Sequence, residues 1–283
     1  YLPLGFLTHE ALASVSVDDP TAGSFQFQNL LFQAATGLQT PVYQEIETYT
    51  TSSDTQTISV SQRASSGYCS YTSEADTGNV SIFFTVPQDG EVCLDLSASE
   101  RNSFTVYKNG ESLYTETMSL DQMISVGKCA AGDEIEISFR CKADESGRLE
   151  LTAAVLDGSV FQTGVDLLRQ STWEIQSLTD TSVTGTVEVT DRTVLYTSIP
   201  SNGNWTATVD GVQTEPILLC DTMVGLRLTP GQHTITFTYQ NTALQQGIAV
   251  SLTALAIFLC LTALSYSPWK KGKFQDRSQT GED

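Results

Sequence analysis

Basic residues are scarce in this sequence of 283 residues, which has 14 lysines and arginines against 33 aspartates and glutamates. The net charge is −19, and three of the six lysines lie within the last fourteen positions. A nucleic-acid-binding protein needs lysine and arginine to contact phosphates. The charge balance therefore excludes a nucleic-acid partner.

The sequence also lacks the short motifs that most often carry catalysis or cofactor binding. It contains no HExxH, no CxxC pair, no Walker loop, no GxSxG and no dinucleotide fingerprint. It has no loop with the Asp-x-Asp-x-Asp spacing of a calcium site. We therefore predict no catalytic residue, no cofactor and no metal site.

Histidine is nearly absent, and the two that occur do not suggest a catalytic site. His233 falls on the same strand face as Ile235 and Phe237, which favours a structural role, and His9 lies in a loop. Acidic pairs are plentiful, and carboxylates at such spacings could serve glycoside hydrolysis. Three such pairs are Glu45/Glu47, Glu134/Glu136 and Asp144/Glu145. With so many acidic residues, however, pairs arise by chance. Glu134 and Glu136 also alternate with apolar residues, as on the solvent-exposed face of a strand.

Six cysteines are present, and none has the spacing of a metal site. Cys260 lies in an apolar run, which leaves five that can be outside a membrane: Cys69, Cys93, Cys129, Cys141 and Cys220. Because five is odd, at most two disulfides can form among them, and we expect one free thiol or more. Cysteine also occurs as a small buried apolar residue, and we expect that role for most of them.

One long apolar run stands near the C-terminus, where no charged residue occurs between Arg227 and Lys270. Residues 247–266 are long enough to cross a bilayer core of about 30 Å. An interfacial Trp269 comes next, and then three lysines, Lys270, Lys271 and Lys273, as expected for a cytoplasmic flank. We predict a transmembrane helix at 243–267, a cytoplasmic tail at 268–283, and residues 1–243 outside the membrane.

The rest of the sequence is rich in serine and threonine, with 67 such residues, and short apolar stretches alternate with polar ones. This composition favours a mainly β, extracytoplasmic protein. We predict two stacked antiparallel β-sandwich modules, a jelly-roll-like one at 48–157 and a smaller one at 171–242, joined by a short helical connector at 158–170. Asp210-Gly211 predicts a two-residue hairpin in the second module.

Residues 1–47 differ from these two modules and are predicted to form a helical and loop segment. Ser24 could cap a helix that ends before Gly37, and Pro41 would block its continuation. The apolar residues of this helix recur at helical spacing and predict one buried face: Phe27, Leu30, Leu31 and Ala34.

Aromatic residues are the remaining candidates for binding. Tyr68 and Tyr71 fall in a stretch rich in serine and glycine that we interpret as a loop, and Tyr196 and Trp205 fall in the second module. Exposed aromatic rings on a β-sandwich can stack on sugars, whereas buried ones form its core. We consider these four as candidate glycan contacts, and we expect Trp205 to cap the core near Ile235 and Phe237.

The second module and the N-terminal segment resemble the C-terminal end of the YfhO family, which are large bacterial membrane proteins. The resemblance rests on residues 195–200 (LYTSIP), 203–205 (GNW), 209–211 (VDG), 225–228 (GLRL) and 230–239 (PGQHTITFTY). It also rests on the opening YLPLGF, with FQN at 27–29 and TG at 36–37. Residues 48–157 add little to it.

The resemblance implies a longer parent protein with many upstream transmembrane helices and the plan of a GT-C glycosyltransferase. Such enzymes are thought to transfer a sugar from a polyprenyl-phosphate donor onto a cell-envelope polymer such as lipoteichoic acid. The expected catalytic carboxylates lie between early helices, so no catalytic residue is carried over to this chain. The opening at Tyr1, without an initiator methionine, agrees with a fragment of something longer.

The function we predict is thus the noncatalytic outer region, with the last helix, of a YfhO-like glycosyltransferase. Its partners would be the upstream helices, the lipid bilayer and an envelope glycan. The alternative is a membrane-tethered carbohydrate-binding or adhesion module. An independent hydrolase is the weakest hypothesis, because it needs a catalytic constellation that the sequence does not offer.

Overall fold

A computed structural model describes residues 2–16, 23–74, 76–100, 103–117 and 121–266 of the chain. It is mostly β, with four antiparallel sheets, a short N-terminal helix and one long apolar C-terminal helix. The predicted fold class is confirmed. The chain begins with β1 (Gly5–Thr8), a short 3-10 helix (Glu10–Ser14) and α1 (Ser24–Thr36).

Helix α1 shows where local sequence rules succeed and where they fail. Gly37 adopts the left-handed conformation at φ 78° and its N–H donates to Gln33, as predicted for the C-terminal end. The cap at the other end was predicted wrongly. Gly23 stands at the cap position, while Ser24 lies inside the helix and donates its hydroxyl to Asp95 of the first sandwich.

The buried face of α1 is also shifted from the prediction. Ala34 is buried, as expected, but Leu30 is 42% exposed, and Phe27 and Leu31 are only half-buried. Phe25 and Thr36 are buried instead. Asn29 holds the helix in place, because its side-chain oxygen accepts the N–H groups of Val42 and Tyr43, both at 2.8 Å.

Eleven strands of the first sandwich lie within the described residues. These are β2 (Tyr43–Glu45), β3 (Thr50–Ser53), β4 (Ile58–Gln62), β5 (Tyr68–Ser73), β6 (Gly78–Thr85), β7 (Gly90–Ala98), β8 (Ser103–Lys108), β9 (Glu111–Thr117), β10 (Asp121–Cys129), β11 (Glu134–Cys141) and β12 (Ser146–Leu156). One sheet has the order β10-β7-β12-β5-β4, with β2 on β12, and the other has the order β3-β6-β11-β8-β9. Strands β5 to β12 thereby follow the order of a jelly roll.

The core of this sandwich follows from alternation along its strands. In β7, Val92, Leu94 and Leu96 are buried, whereas Cys93 between them is only half-buried. In β11, Ile135 and Ile137 are buried while Glu134 is exposed. The inward residues of the two sheets meet in one apolar cluster, which stabilises the sandwich by removing their side chains from water.

Helix α2 (Gly158–Arg169) comes next, within the predicted connector, and Asp157 caps it by accepting the N–H groups of Ser159 and Val160. The second sandwich is built from the remaining strands: β13 (Glu174–Leu178), β14 (Ser182–Val189), β15 (Val194–Pro200), β16 (Trp205–Val209), β17 (Val212–Thr214), β18 (Ile217–Leu219), β19 (Met223–Arg227) and β20 (Gly231–Tyr239). Its sheets have the orders β1-β15-β19-β18 and β13-β14-β20-β16-β17.

The N-terminal segment contributes strands to both sandwiches, which no sequence pattern predicted. Strand β1 pairs with β15 from Gly5 against Thr197 to Thr8 against Val194. Strand β2 pairs with β12 of the first sandwich. The segment interpreted as helix and loop thus supplies one strand to each of the two sandwiches.

Helix α3 (Thr242–Tyr266) is the predicted membrane span. Residues Thr242–Ser265 are long and apolar enough to cross a bilayer, and their most apolar stretch is not buried against the rest of the protein. The interfacial Trp269, its three lysines and the tail at 268–283 lie outside the described residues.

Only Gln240 and Asn241 separate β20 from α3, and both are fixed by hydrogen bonds. The side chain of Asn241 accepts the N–H of Leu244 at 2.9 Å, and Gln240 donates to the carbonyl of Asn204 at 2.9 Å. We call the end of the second sandwich from which α3 leaves the rim. It comprises residues 2–4, 200–205, 220–223 and 239–241. Backbone contacts join these segments to one another and to β15: Ser198 with Leu4, Ser201 with Thr222, Pro200 with Met223 and Trp205 with Tyr239.

Candidate functional site

A cleft of about 730 Å³ lies beside Trp205 at one side of the rim. Strand β16 supplies Trp205 and Thr206, and β17 supplies Gln213 and Thr214. Pro216, Ile217 and Leu218 close the far side, and Glu215 adds a carboxylate. The cleft combines an aromatic ring with hydroxyl, amide and carboxylate groups, which is the chemistry that can stack on and hydrogen-bond to a sugar.

Two turns shape this cleft. Gly203 has φ 75° in the loop before β16, where a glycine is favoured because it has no Cβ. Asp210 and Gly211 follow β16 with φ values of 52° and 81°, as a two-residue hairpin of type I′ requires. Val209 pairs directly with Val212 across this turn, so the predicted hairpin is confirmed.

The ring of Trp205 is partly buried against the core of the second sandwich. It stands edge-on to Tyr239, with ring centroids 5.2 Å apart and an interplanar angle of 63°. Ala207, two residues further along β16, is buried next to Phe237 in the pairing. Trp205 therefore contacts the core, as expected, and also lines the cleft.

Tyr196 lies on a different surface of the same sandwich. Its neighbours in β15, Leu195 and Thr197, point into the protein and are fully buried, so the Tyr196 ring points outward. There it packs on Phe6, with ring centroids 5.2 Å apart. Partial burial raises the pKa of the Tyr196 hydroxyl above its ordinary value.

The two tyrosines of the first sandwich are in β5 and not in a loop, which corrects the interpretation of that stretch. Tyr71 is only 2% exposed, and its hydroxyl donates to Glu145 at 2.6 Å. Its ring lies over Gly147, where a Cβ would come within 2.6 Å of the hydroxyl oxygen. Tyr71 is thus part of the core, whereas Tyr68 is half-buried beside a small pocket with Arg148 and Glu150.

The four aromatic candidates are therefore not brought together. Trp205 and Tyr196 lie on different faces of the second sandwich, and Tyr68 and Tyr71 lie in the first. Contact of these residues with a glycan stays a prediction. Of the sites at which they lie, the Trp205 cleft offers a glycan an aromatic ring together with hydroxyl, amide and carboxylate groups.

His233 is held in a structural arrangement. Its Nδ1 lies 2.7 Å from Asp210 Oδ2 and its Nε2 lies 2.8 Å from the carbonyl of Thr229, while the side chain is only 12% exposed. The hydrogen bond to Asp210 raises the pKa of His233 above its ordinary value. The pKa of Asp210 is lowered, first by the N–H of Thr234 and then by His233. This pair ties the hairpin turn to β20.

In two of the acidic pairs, one carboxylate is held in a hydrogen bond within the protein. Glu134 is exposed, and Glu136 accepts the hydroxyl of Ser81 at 2.7 Å on the outer face of β11. Glu145 is engaged by Tyr71. Within the residues that the structure describes, no group of three or more histidine, cysteine or acidic side chains could hold a metal ion.

The structure also contains an apolar groove that no sequence pattern indicated. It lies where α1 and α2 face the outer surface of the sheet that contains β1 and β15, and it has a volume of about 750 Å³. Phe27, Leu31 and Phe32 of α1 line it together with Phe161 of α2. Residues so distant in sequence leave no local pattern, so sequence periodicity could not have indicated the groove.

Comparisons with known proteins give one match over most of the chain. The family model described as bacterial membrane protein YfhO matches residues 1–251. No curated protein matches the sequence.

Solved structures resemble part of the chain, at low identity. The module TmCBM61, bound to β-1,4-galactotriose, shares 8% identity over 38% of this chain and 88% of its own, with a TM-score of 0.29. A family 35 carbohydrate-binding module from Clostridium thermocellum shares 9% identity over 40% of this chain and 96% of its own, with a TM-score of 0.28. The K3 adhesin domain of Lys-gingipain from Porphyromonas gingivalis shares 11% identity over 38% and 90%, with a TM-score of 0.29. Scores of this size carry no argument about a ligand.

Proposed function

Because the chain belongs to the YfhO family of bacterial membrane proteins, we propose that it is the noncatalytic extracytoplasmic region, with the last transmembrane helix, of a polytopic glycosyltransferase. The observation that carries the proposal is the extent of the family match. It begins before β1, continues through both sandwiches and ends at residue 251, inside α3. The parent enzyme would transfer a sugar from a polyprenyl-phosphate donor to a cell-envelope polymer.

The geometry of the rim supports this role. Residues 2–4 and the start of α3 lie at the same end of the second sandwich, because β1 runs antiparallel to β15 and Trp205 pairs with Tyr239. Upstream transmembrane helices joined before β1 would therefore lie on the same side of the sandwich as α3. The outer region would be held to the membrane at both of its ends.

Charge limits how this region can contact an acceptor. Residues 1–243 carry 30 acidic and 10 basic residues, a net charge of −20. Such a surface repels a polyanionic polymer such as lipoteichoic acid. We infer that any contact with the acceptor uses its sugars or other neutral parts.

The test of the noncatalytic role uses the chain as it is. The chain of 283 residues in phospholipid vesicles is expected to show no sugar transfer from a polyprenyl-phosphate sugar, whereas the full parent enzyme transfers it. A heat-denatured sample of each protein serves as the background. Turnover by the chain alone above that background would overturn the proposal.

The orientation of α3 is part of the same proposal, and it can be tested separately. A reporter that is active only in the cytoplasm, fused after Asp283, is expected to be active. A reporter that is active only outside the membrane, fused at the same position, is expected to be inactive. The reverse pattern would place the sandwiches in the cytoplasm and overturn the extracytoplasmic role.

The Trp205 cleft favours a second candidate function, a membrane-tethered carbohydrate-binding or adhesion module. A half-buried aromatic ring bordered by Thr206, Gln213 and Glu215 offers both a stacking surface and hydrogen-bonding groups. Binding of the chain to purified envelope glycans, lost in Gln213→Ala and kept in Gln176→Ala, would support it. Gln176 is a suitable control because it is an exposed glutamine of the same sheet outside the cleft.

A further inference from the structure

The apolar groove between the helices and the second sandwich has an unusual lining. None of its lining side chains, all of them from described residues, is charged, although the outer region carries a net charge of −20. Phe6 and Tyr196 form its floor, and Phe32 and Phe161 stack at one wall with ring centroids 6.2 Å apart. Phe161 is 45% exposed there, so a sizeable apolar surface faces water.

The groove is part of the folded architecture. Gly164 of α2 lets the two helices approach closely, because a Cβ at this position would lie 2.1 Å from the ring of Phe32. On the opposite side, Asn29 fixes α1 to the first sandwich by three hydrogen bonds to Val42 and Tyr43. The helices that line the groove are therefore held in place by contacts within the protein, which do not depend on an occupant.

One end of the groove opens at the rim. Leu2, Pro3 and Met223 line that end, and all three belong to the rim. Met223 pairs with Pro200, and Pro200 precedes the turn by which β15 leads to Trp205 and its partner Tyr239. Since α3 begins three positions after Tyr239 and would enter the membrane there, this end of the groove would face the bilayer surface.

The length of the groove suits a lipid chain. From Pro200 at the rim to Tyr196 on the floor are four residues of β15, a distance of about 13 Å at the rise of a strand. One lipid chain spans half of the bilayer core, about 15 Å. An apolar chain can therefore reach the floor of the groove while its headgroup stays at the membrane surface.

We propose that the groove binds one acyl chain of a membrane phospholipid, which enters over the rim. The acyl chain would exchange the apolar interior of the bilayer for the apolar groove. The side chains that line the groove would at the same time lose their contact with water. A second copy of this protein is a poor occupant, because two outer regions of charge −20 repel each other. The proposal concerns a surface that the glycosyltransferase role does not use.

The experiment uses the whole chain of 283 residues in vesicles of phosphatidylcholine and phosphatidylglycerol, which contain a phosphatidylcholine with a diazirine at the end of one acyl chain. After irradiation, labelled peptides are identified by mass spectrometry. We expect label on α1 or on the segment around Tyr196, in addition to α3. Label confined to α3 and the rim would overturn the proposal.

A pair of variants makes the result specific. Leu31→Glu places a charge in the groove and is expected to reduce labelling of α1 about tenfold, with labelling of α3 unchanged. Leu30→Glu is the matched control, since Leu30 is the adjacent leucine and lies outside the groove. It is expected to retain the label. Equal loss in both variants would overturn the proposal.

Two further measurements keep the test decisive. If Leu31→Glu does not fold, Ser198→Trp replaces it, because this exposed residue lines the groove near the rim and a tryptophan there fills the space without adding charge. It is expected to reduce labelling of α1 to the level of background. Crosslinked dimers, or label displaced by unlabelled polyprenyl phosphate and not by unlabelled phosphatidylcholine, would show a different occupant.

Discussion

Trp205 and Tyr239 form an edge-to-face pair, 5.2 Å between ring centroids, at the point where the second sandwich passes into the membrane helix. The two residues are directly opposite each other on β16 and β20. Tyr239 is the last residue of its strand, and α3 begins three positions later. The pair therefore joins the core of the sandwich, the cleft and the rim.

Trp205→Ala is expected to lower the stability of the chain by about 2 kcal/mol. Deleting a fully buried tryptophan costs about 3–5 kcal/mol, and Trp205 is only partly buried. Thermal unfolding in detergent micelles measures the change. Trp205→Phe keeps an aromatic contact to Tyr239 and is expected to lose less than half as much. An unchanged melting temperature together with lost glycan binding would show that the ring serves as a sugar platform instead.

Stability is expected to depend on pH through His233 and Asp210. Their contact raises the pKa of His233 above 6.5, so its contribution is fully present below about pH 6.5 and is lost as the pH rises through the raised folded value. The pKa of Asp210 is lowered from 3.8, so its contribution is present above about pH 4 and is lost on further acidification.

The two pKa shifts together predict that the pair stabilises the fold most between about pH 4 and 6.5. Urea unfolding of the chain at pH 6 and pH 8 measures the loss on the alkaline side. Asp210→Asn keeps an acceptor for the N–H of Thr234 and tolerates the left-handed turn, but it removes the charge facing His233. We expect it to flatten the pH dependence. If the stability of Asp210→Asn depends on pH as steeply as that of the unmodified chain, other groups cause the dependence. Glu188, which also interacts electrostatically with His233, is one of them.

All six cysteines are free in the structure, and their burial predicts an order of reaction. Burial raises the pKa of Cys69 and of Cys141 to about 11, so neither forms a thiolate readily at neutral pH. Cys93 and Cys220 are half-buried. Among the cysteines outside α3, a thiol reagent at pH 8 without reductant is expected to modify Cys220 or Cys93 first, and Cys69 and Cys141 only after denaturation. Peptides joined by a disulfide bond would contradict this prediction.

Gly185 is expected to be intolerant of any side chain. A Cβ there would lie 2.4 Å from the carbonyl oxygen of Glu174 and 2.6 Å from Nε1 of the buried Trp173. Gly185→Ala should therefore cost about 1–3 kcal/mol by overpacking. Gly158→Ala is the control, because nothing lies within 4 Å of its Cβ position. Equal melting temperatures of the two variants would refute the expected clash.

Several elements could be predicted from the sequence because their causes are local. The charge-free run before Lys270 predicts the helix α3, since length and hydropathy alone decide whether a segment can cross a bilayer. Asp210-Gly211 predicts its hairpin because these residues accept positive φ angles. The alternation in β7 and β11 predicts which side chains are buried, because successive strand residues point to opposite faces.

What the sequence alone determined is therefore the β-rich class, the negative charge of residues 1–243, the apolar span and the individual turns. The tertiary structure decided which distant segments meet: β1 with β15, Tyr71 with Glu145, and the phenylalanines of α1 and α2 around one groove. These contacts join residues up to about 190 positions apart. Backbone preference and apolar period act over only a few residues, so they cannot specify a partner strand. That choice depends on how the sheets and helices pack together, and it places Trp205 in a cleft and Tyr196 beside a groove.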